Sequence, residues 1–287
     1  MTLSHVPVTE PAAAPRAIAL RTRGNTHGPI TRLVSPGDVG ELLKPFVFLD
    51  LFSLQPGGFG GFGWHPHSGI ATVSVILEGA TTYEETTGAK GVLAAGAVEC
   101  MRAGGGVWHT GGLNGTERVQ GYQLWVALPS EQEQAPAASQ YLQAEAVPAE
   151  GPYRVILGSY GNAHSPISAL TGMNYLVVDL KAGEHWQYQP PAGHTVAWLA
   201  VHAGKLLTPE PVVAGELVVF EASNSALSLV AEGPTSFVLG SAIPHPHELV
   251  LGRYSVHTSS AALARGEAKI MDILRTDSAL QEAVRAR

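Results

Sequence analysis

The chain has 287 residues and a formal charge of −7, set by 17 Lys and Arg against 24 Asp and Glu. That balance argues against a nucleic-acid binder, which needs a basic footprint to neutralise phosphates. Only 14% of residues are charged, 45% are hydrophobic, and 33 glycines and 20 prolines punctuate the chain. Wholesale disorder is thereby excluded, and the composition points to many short strands joined by turns.

Residues 1–15 read as a polar, Pro/Ala-rich tail. They lack the basic region and apolar core of a secretory signal. No apolar run approaches the roughly 18 residues of a membrane span. The expected location is therefore cytoplasmic.

The first β series is expected over 16–135. Phe46-Val47-Phe48-Leu49 and Leu51-Phe52 flank Asp50 in a run of β-formers. A loop rich in glycine, Gln55 to Gly63, follows. Ala71–Leu77, Val98–Met101, Val107–His109 and Tyr122–Leu128 continue the series, with Gly turns between them. Such spacing indicates a sandwich or barrel. Residues 136–150, rich in Ala, Gln, Pro and Glu, read as a linker.

A second β series is expected over 151–260, including Tyr153–Leu157, Tyr175–Leu180, Thr195–Val201, Glu216–Phe220 and Ser236–Leu239. The step Ala214-Gly215-Glu216 echoes Ala95-Gly96 in the first series and suggests two related β domains. Residues 261–287 read as helical, with Ile270, Met271, Ile273, Leu274, Leu280 and Val284 forming an apolar stripe that docks on the β core. Thr276-Asp277-Ser278 supplies a cap for a final short helix.

Among twelve histidines, His65-Pro66-His67 is the sharpest feature. On an extended strand, residues i and i+2 face the same side, so both imidazoles enter one space, which is half of a transition-metal site. His109, after the turn Ala103-Gly104-Gly105-Gly106, can add a third nitrogen from a neighbouring strand. The bland alternative is a surface loop with a coincidental pair. His245-Pro246-His247 has no comparable partner and reads as a structural or surface pair. His185, His194 and His202 read as loop or core residues. Phe59, Phe62, Trp64, Met101 and Trp108 are candidates for an apolar wall. The single cysteine, Cys100, excludes a disulfide framework and a Cys-rich zinc site, and should face away from its neighbours Glu99 and Met101.

His65-Pro66-His67-Ser68-Gly69, Leu77-Glu78-Gly79, Thr87-Gly88, Ala95-Gly96, the segment from Ala103 to His109, and Gln123-Leu124-Trp125-Val126 together resemble the pirin family. Upstream, the Pro45–Asp50 and Pro56–Phe59 segments resemble it too. The resemblance implies an all-β bicupin: two jelly-roll β-barrels packed face to face, here with a C-terminal helical segment. It also implies one metal in the first barrel, most often Fe(II), held by three histidines and a glutamate. His65, His67 and His109 match the histidines. The glutamate position falls on Gly111, and the usual arginine and cupin glutamate positions hold Ser68 and Ala71.

Three readings stay open: a three-histidine site with open positions, a site completed by Glu99 from the next strand where Ala71 and Gly111 leave room, or a barrel without metal. Imidazole ligands are compatible with Fe(II), Mn, Ni, Cu or Zn. The implied activity is a metal-dependent dioxygenase of the quercetin 2,3-dioxygenase type, acting on a small chelating aromatic or enolic substrate, with Glu99 as ligand or general base. The alternative is a metal-responsive regulatory protein that contacts a protein partner and catalyses nothing. Neither direct nucleic-acid binding nor a membrane is expected.

Overall fold

The computed structural model describes residues 16–58, 61–168 and 170–286. The expected tail and Phe59 lie outside the described residues. The chain is mostly β, built as two sheet domains followed by two C-terminal helices.

Each domain is a seven-stranded sheet facing a four-stranded one. The first large sheet runs Ala138–Leu142, Val98–Arg102, Ile70–Glu78, Val119–Ala127, Phe46–Leu54, Ile30–Val34, Asn25–His27. Its small sheet runs Gly61–His67, Val107–Leu113, Ala80–Glu85, Lys90–Ala94. In the second domain, the central strands of the large sheet are Val196–Ala203, Thr235–Ala242 and Met173–Leu180.

The suspected echo between the halves is a shared hydrogen-bond pattern. Gly96 N–H donates to Ile76 O and Ala97 N–H to Ala94 O; Gly215 N–H donates to Val201 O and Glu216 N–H to Val213 O. Both glycines sit at φ 85°, a left-handed conformation that L side chains rarely adopt.

The two large sheets pack back to back. Leu49, Val73, Val75, Cys100, Tyr122 and Leu124 share one buried cluster with Tyr175, Val177, Trp198, Ala200 and Val238. The intervening residues of the first sheet point the other way, into their own barrel, as strand alternation requires. Both faces of these strands are therefore buried, which explains the near-continuous apolar run at Phe46–Leu49. Cys100 faces away from Glu99 and Met101 as expected, into the interdomain core, and burial pushes its thiol up to about 12.

Two boundaries differ from the expectation. Ala138–Leu142, inside the expected linker, pairs with Val98–Arg102 and forms one edge of the first sheet. Ile18–Thr22, assigned by position to the first domain, crosses over and pairs with Leu217–Phe220 at the edge of the second sheet. Exposed sheet edges carry unpaired backbone groups, and neighbouring chain segments satisfy them here. Neither segment has a composition that distinguishes an edge strand from a tail or linker.

The helices Ser260–Thr276 and Ser278–Arg285 match the expected segment. Asp277 caps the second, accepting from Leu280 N–H at 2.9 Å. Ile270 and Leu280 pack on Trp108, whose indole N–H donates to Ile270 O at 2.9 Å. The helices thus cover the back of the strands that carry the histidines.

Candidate metal centre

The Gly61–His67 and Val107–Leu113 strands are antiparallel neighbours, and His65 stands opposite His109 in the register. Cross-strand partners point to the same face, and His67 shares that face with His65. The three rings converge, with centroids 4.3 Å apart for His65 and His109 and 5.0 Å for each of the other pairs. One ring nitrogen from each residue lies within 4.8 Å of the other two. Among the described residues this is the only such grouping, and it contains no carboxylate.

Backbone carbonyls orient two of the rings. His65 Nδ1 donates to Gly63 O at 2.6 Å and His67 Nδ1 donates to Tyr254 O at 2.9 Å. That tautomer puts the proton on Nδ1 and makes Nε2 the acceptor nitrogen of each ring. The Nε2 atoms of His67 and His109 are buried without a hydrogen-bond partner. Burial, reinforced by His65, holds the His67 ring down to about 3; burial, His65 and His67 hold His109 well below the usual imidazole range. Both rings are therefore neutral near pH 7, the form that ligates metals. Orphaned imidazole nitrogens in a buried cluster call for a partner, and a divalent transition metal fits this donor set.

Two cavities meet at His65. The outer one, about 410 Å³, opens at the barrel mouth between Phe48, Trp125, Trp64 and Tyr254, with His67 in its wall. Phe48 and Trp125 are stacked, centroids 4.0 Å apart, and the Arg32 guanidinium lies 4.2 Å over Phe48. Arg32 is held by a bidentate pair with Asp50 at 2.9 and 3.0 Å. The inner chamber is small, about 50 Å³, and is walled by His109, Gly111, Ser74, Glu99 and Tyr83. His65, Phe62 and Gln123 line both cavities.

A polar row connects these spaces across the inner face of the large sheet. The strand registers pair Arg32 with Asp50, Asp50 with Gln123, Gln123 with Ser74, Ser74 with Glu99, and Glu99 with Tyr141. Tyr141 then donates from its hydroxyl to Glu85 at 2.6 Å. Glu99 accepts from Ser74 Oγ at 2.7 Å, and burial raises its carboxyl to about 7, with Glu85 adding to the rise and Ser74 opposing it.

Several expectations are corrected here. Glu99 lies outside the group of converging ligand atoms; its strand does pair with the Ile70–Glu78 strand, and Ser74 stands opposite it. Ala71 faces the interdomain core and leaves no room at the site, because strand alternation turns it outward. Trp108 faces the helices rather than a cavity, and Met101 packs with Ala103 and Val107. Phe62 and Trp64 do line the outer cavity. Phe48, Trp125, Gln123 and Tyr254 were not anticipated. The space between the barrels is filled by apolar side chains, so the cavity belongs to the mouth of the first barrel.

In the second domain, His194 Nδ1 contacts Ser241 Oγ at 3.0 Å and the Tyr188 hydroxyl contacts the same serine at 2.7 Å. The His245 ring sits beside the backbone carbonyls of His247 and Leu128 on a surface segment.

The pirin family model matches residues 29–126. A Pseudomonas aeruginosa protein named "Putative quercetin 2,3-dioxygenase" is 34% identical over 220 residues, which span 72% of this chain and 75% of that one. The chain belongs to the pirin family. A crystal structure of quercetin 2,3-dioxygenase from Acinetobacter baumannii superposes with a TM-score of 0.83 at 24% identity, covering 91% of this chain and 98% of the other. The bacterial pirin YhhW from Escherichia coli, solved in complex with nickel(II), has a TM-score of 0.61 at 20% identity, covering 80% and 96%. These likenesses establish the bicupin fold of this pirin. No helix among the described residues is long and apolar enough to cross a membrane.

Proposed function

We infer that this pirin is a metal-dependent dioxygenase of the quercetinase type, using one divalent transition metal, Fe(II) first among them. The observation that carries this reading is the convergence of three histidines, two with orphaned buried Nε2 atoms, at the wall of an aromatic-lined cavity. The name of the Pseudomonas relative supports the same reading.

His65, His67 and His109 would hold the metal, which would supply Lewis-acid activation of a chelating enol and of dioxygen. Phe48 and Trp125 contribute apolar wall to the outer cavity, whose volume falls within the usual range for small-molecule sites. Arg32, fixed by Asp50, offers its charge at the rim to an electron-rich oxygen. Glu99 acts as general base from behind the histidines. Its raised pKa keeps it near the working pH, where proton transfer is most effective. The inner chamber has room for water, through which the proton of the substrate hydroxyl would reach Glu99.

The test is metal analysis of purified protein, followed by oxygen uptake by iron-, manganese-, nickel- and copper-loaded samples with a panel of flavonols and other chelating enols. Near-stoichiometric metal and substrate-dependent oxygen uptake are expected. Stoichiometric metal without uptake on any substrate overturns the enzyme reading in favour of a metal-responsive binding protein; absence of metal after loading overturns both.

A further inference from the structure

A second histidine network lies beside the metal site. Ser68, the residue directly after the His-Pro-His triplet, is fully buried, and so are Ser255, His257 and Glu133. Ser68 Oγ lies 2.8 Å from Ser255 Oγ and 2.9 Å from His257 Nε2, and its single proton serves one of these two acceptors at a time. His257 Nδ1 lies 3.1 Å from Glu133 Oε2. Glu133 also accepts from Thr258 N–H at 2.7 Å and from Thr258 Oγ at 2.9 Å. An acceptor-only carboxylate there places the proton on Nδ1.

The order serine, histidine, glutamate resembles a hydrolytic triad, but burial removes any path for a substrate. What the network does hold is chain. Ser68 and Ser255 form a parallel bridge, and Val256 N–H points at Ser68 O at 3.3 Å. One residue before Ser255, the carbonyl of Tyr254 receives the proton of His67 Nδ1. Two glycines let the parts close on the His257 ring. A Cβ at Gly69 would stand 2.0 Å from Val256 O and 2.8 Å from the His257 ring; one at Gly266, in the C-terminal helix, would stand 2.5 Å from Ser68 Oγ.

We propose that Ser68, His257 and Glu133 form a positioning relay that locks the segment 254–258 against the end of the ligand strand. The Tyr254 carbonyl then fixes the tautomer and ring orientation of His67. The first barrel's ligand is thus aimed by a segment that follows the second barrel. The inference rests on the metal site proposed above. Carbonyl or carboxylate partners of ligating histidines are general, and their loss costs roughly 10–100-fold in metal affinity.

The test uses the full chain with His257→Ala, the milder Ser68→Ala and Glu133→Gln, and the conservative His257→Asn, which keeps a donor toward Glu133. Leu206→Ala, deep in the second barrel's core, serves as a control that lowers stability at a distance. Two quantities are read: affinity for Fe(II) or Ni(II) by titration of stripped protein, and the tautomer of His67 in metal-free protein by nitrogen NMR of the imidazole. The expected result is metal affinity lower by roughly 10–100-fold in His257→Ala and Ser68→Ala, a His67 Nδ1–H signal that shifts or becomes mixed, and partial rescue in His257→Asn. Leu206→Ala is expected to keep both readouts. The relay is overturned if the Ser68 and His257 variants lose stability but keep both wild-type affinity and the wild-type His67 signal. If wild type itself binds no metal, the proposed function fails, while the imidazole signal still decides the relay.

Discussion

Glu99 stands directly across the sheet from Ser74 and takes its hydroxyl proton in a 2.7 Å hydrogen bond. Burial raises the Glu99 carboxyl to about 7, and this hydrogen bond opposes the rise. Between its ordinary value of 4.5 and about 7, the unfolded chain ionises while the folded chain keeps the proton. The folded state then binds more protons, so this group makes stability fall as pH rises through that window and level off above it. His67 and His109, depressed below 6.5, act in the opposite sense and cost stability as pH falls below that value.

Glu99→Gln removes only the first effect. In metal-stripped protein, the stability of Glu99→Gln relative to wild type is expected to grow from about pH 5 to about pH 7, by on the order of 3 kcal/mol, and to stay constant above. Urea unfolding across that range checks it. A pH-independent difference would show that Glu99 is already ionised in the folded chain.

His109→Ala removes a ring whose buried Nε2 has no hydrogen-bond partner. Metal affinity should fall by well over the roughly 100-fold that an outer-shell change costs, and oxygen uptake should vanish with it. Stripped His109→Ala should remain folded, because the change deletes a buried unsatisfied polar atom along with the packing of the ring. Calorimetry together with metal titration checks both parts.

Phe48→Leu dismantles the stack with Trp125 and the seat of Arg32 at the cavity rim. Loss of an aromatic pair costs roughly 0.5–1.5 kcal/mol beyond area burial. The expected kinetic signature is a raised KM for planar substrates with kcat and metal content nearly unchanged, since Phe48 touches no ligand nitrogen. A fall in metal occupancy would contradict that assignment.

Trp108→Phe keeps most of the buried ring but deletes the hydrogen bond to Ile270 O. A loss of about 1 kcal/mol is expected, with faster amide exchange confined to the helices Ser260–Thr276 and Ser278–Arg285. Exchange measured by mass spectrometry checks the location. Uniform acceleration over the first barrel would mean that the helices are integral to its stability.

The histidines were legible because strand alternation is local. Two residues apart on a strand share a face, whereas His109 joins them through the long-range pairing of its strand with the Gly61–His67 strand. The Gly215 echo of Gly96 was legible for a similar reason, since a left-handed turn demands glycine wherever it occurs. Glu99 was noticed and its strand paired with the one that starts near Ala71, but its partner across the sheet was not legible. Whether a strand residue stands opposite Ala71 or Ser74 depends on register, and register is set by contacts distant in sequence. Phe48 and Trp125 read only as core strand residues, because an inward apolar side chain looks the same whether it meets another side chain or a cavity. His257 and Glu133 carried no signal at all; 124 residues separate them.

The amino-acid sequence by itself determined the class of the protein: turn-rich, low in charge, two β domains and a helical end, with three imidazoles destined for one face. These are consequences of periodicity, turn chemistry and composition, each expressed within a few residues. Only the tertiary structure decided which atoms surround that face. The sheet register put Glu99 behind the histidines with Ser74, the back-to-back packing turned Ala71 away, and the segment after the second barrel delivered Tyr254 O to His67. Those outcomes depend on where remote segments meet, and buried polar groups accept only the arrangement that satisfies their hydrogen bonds.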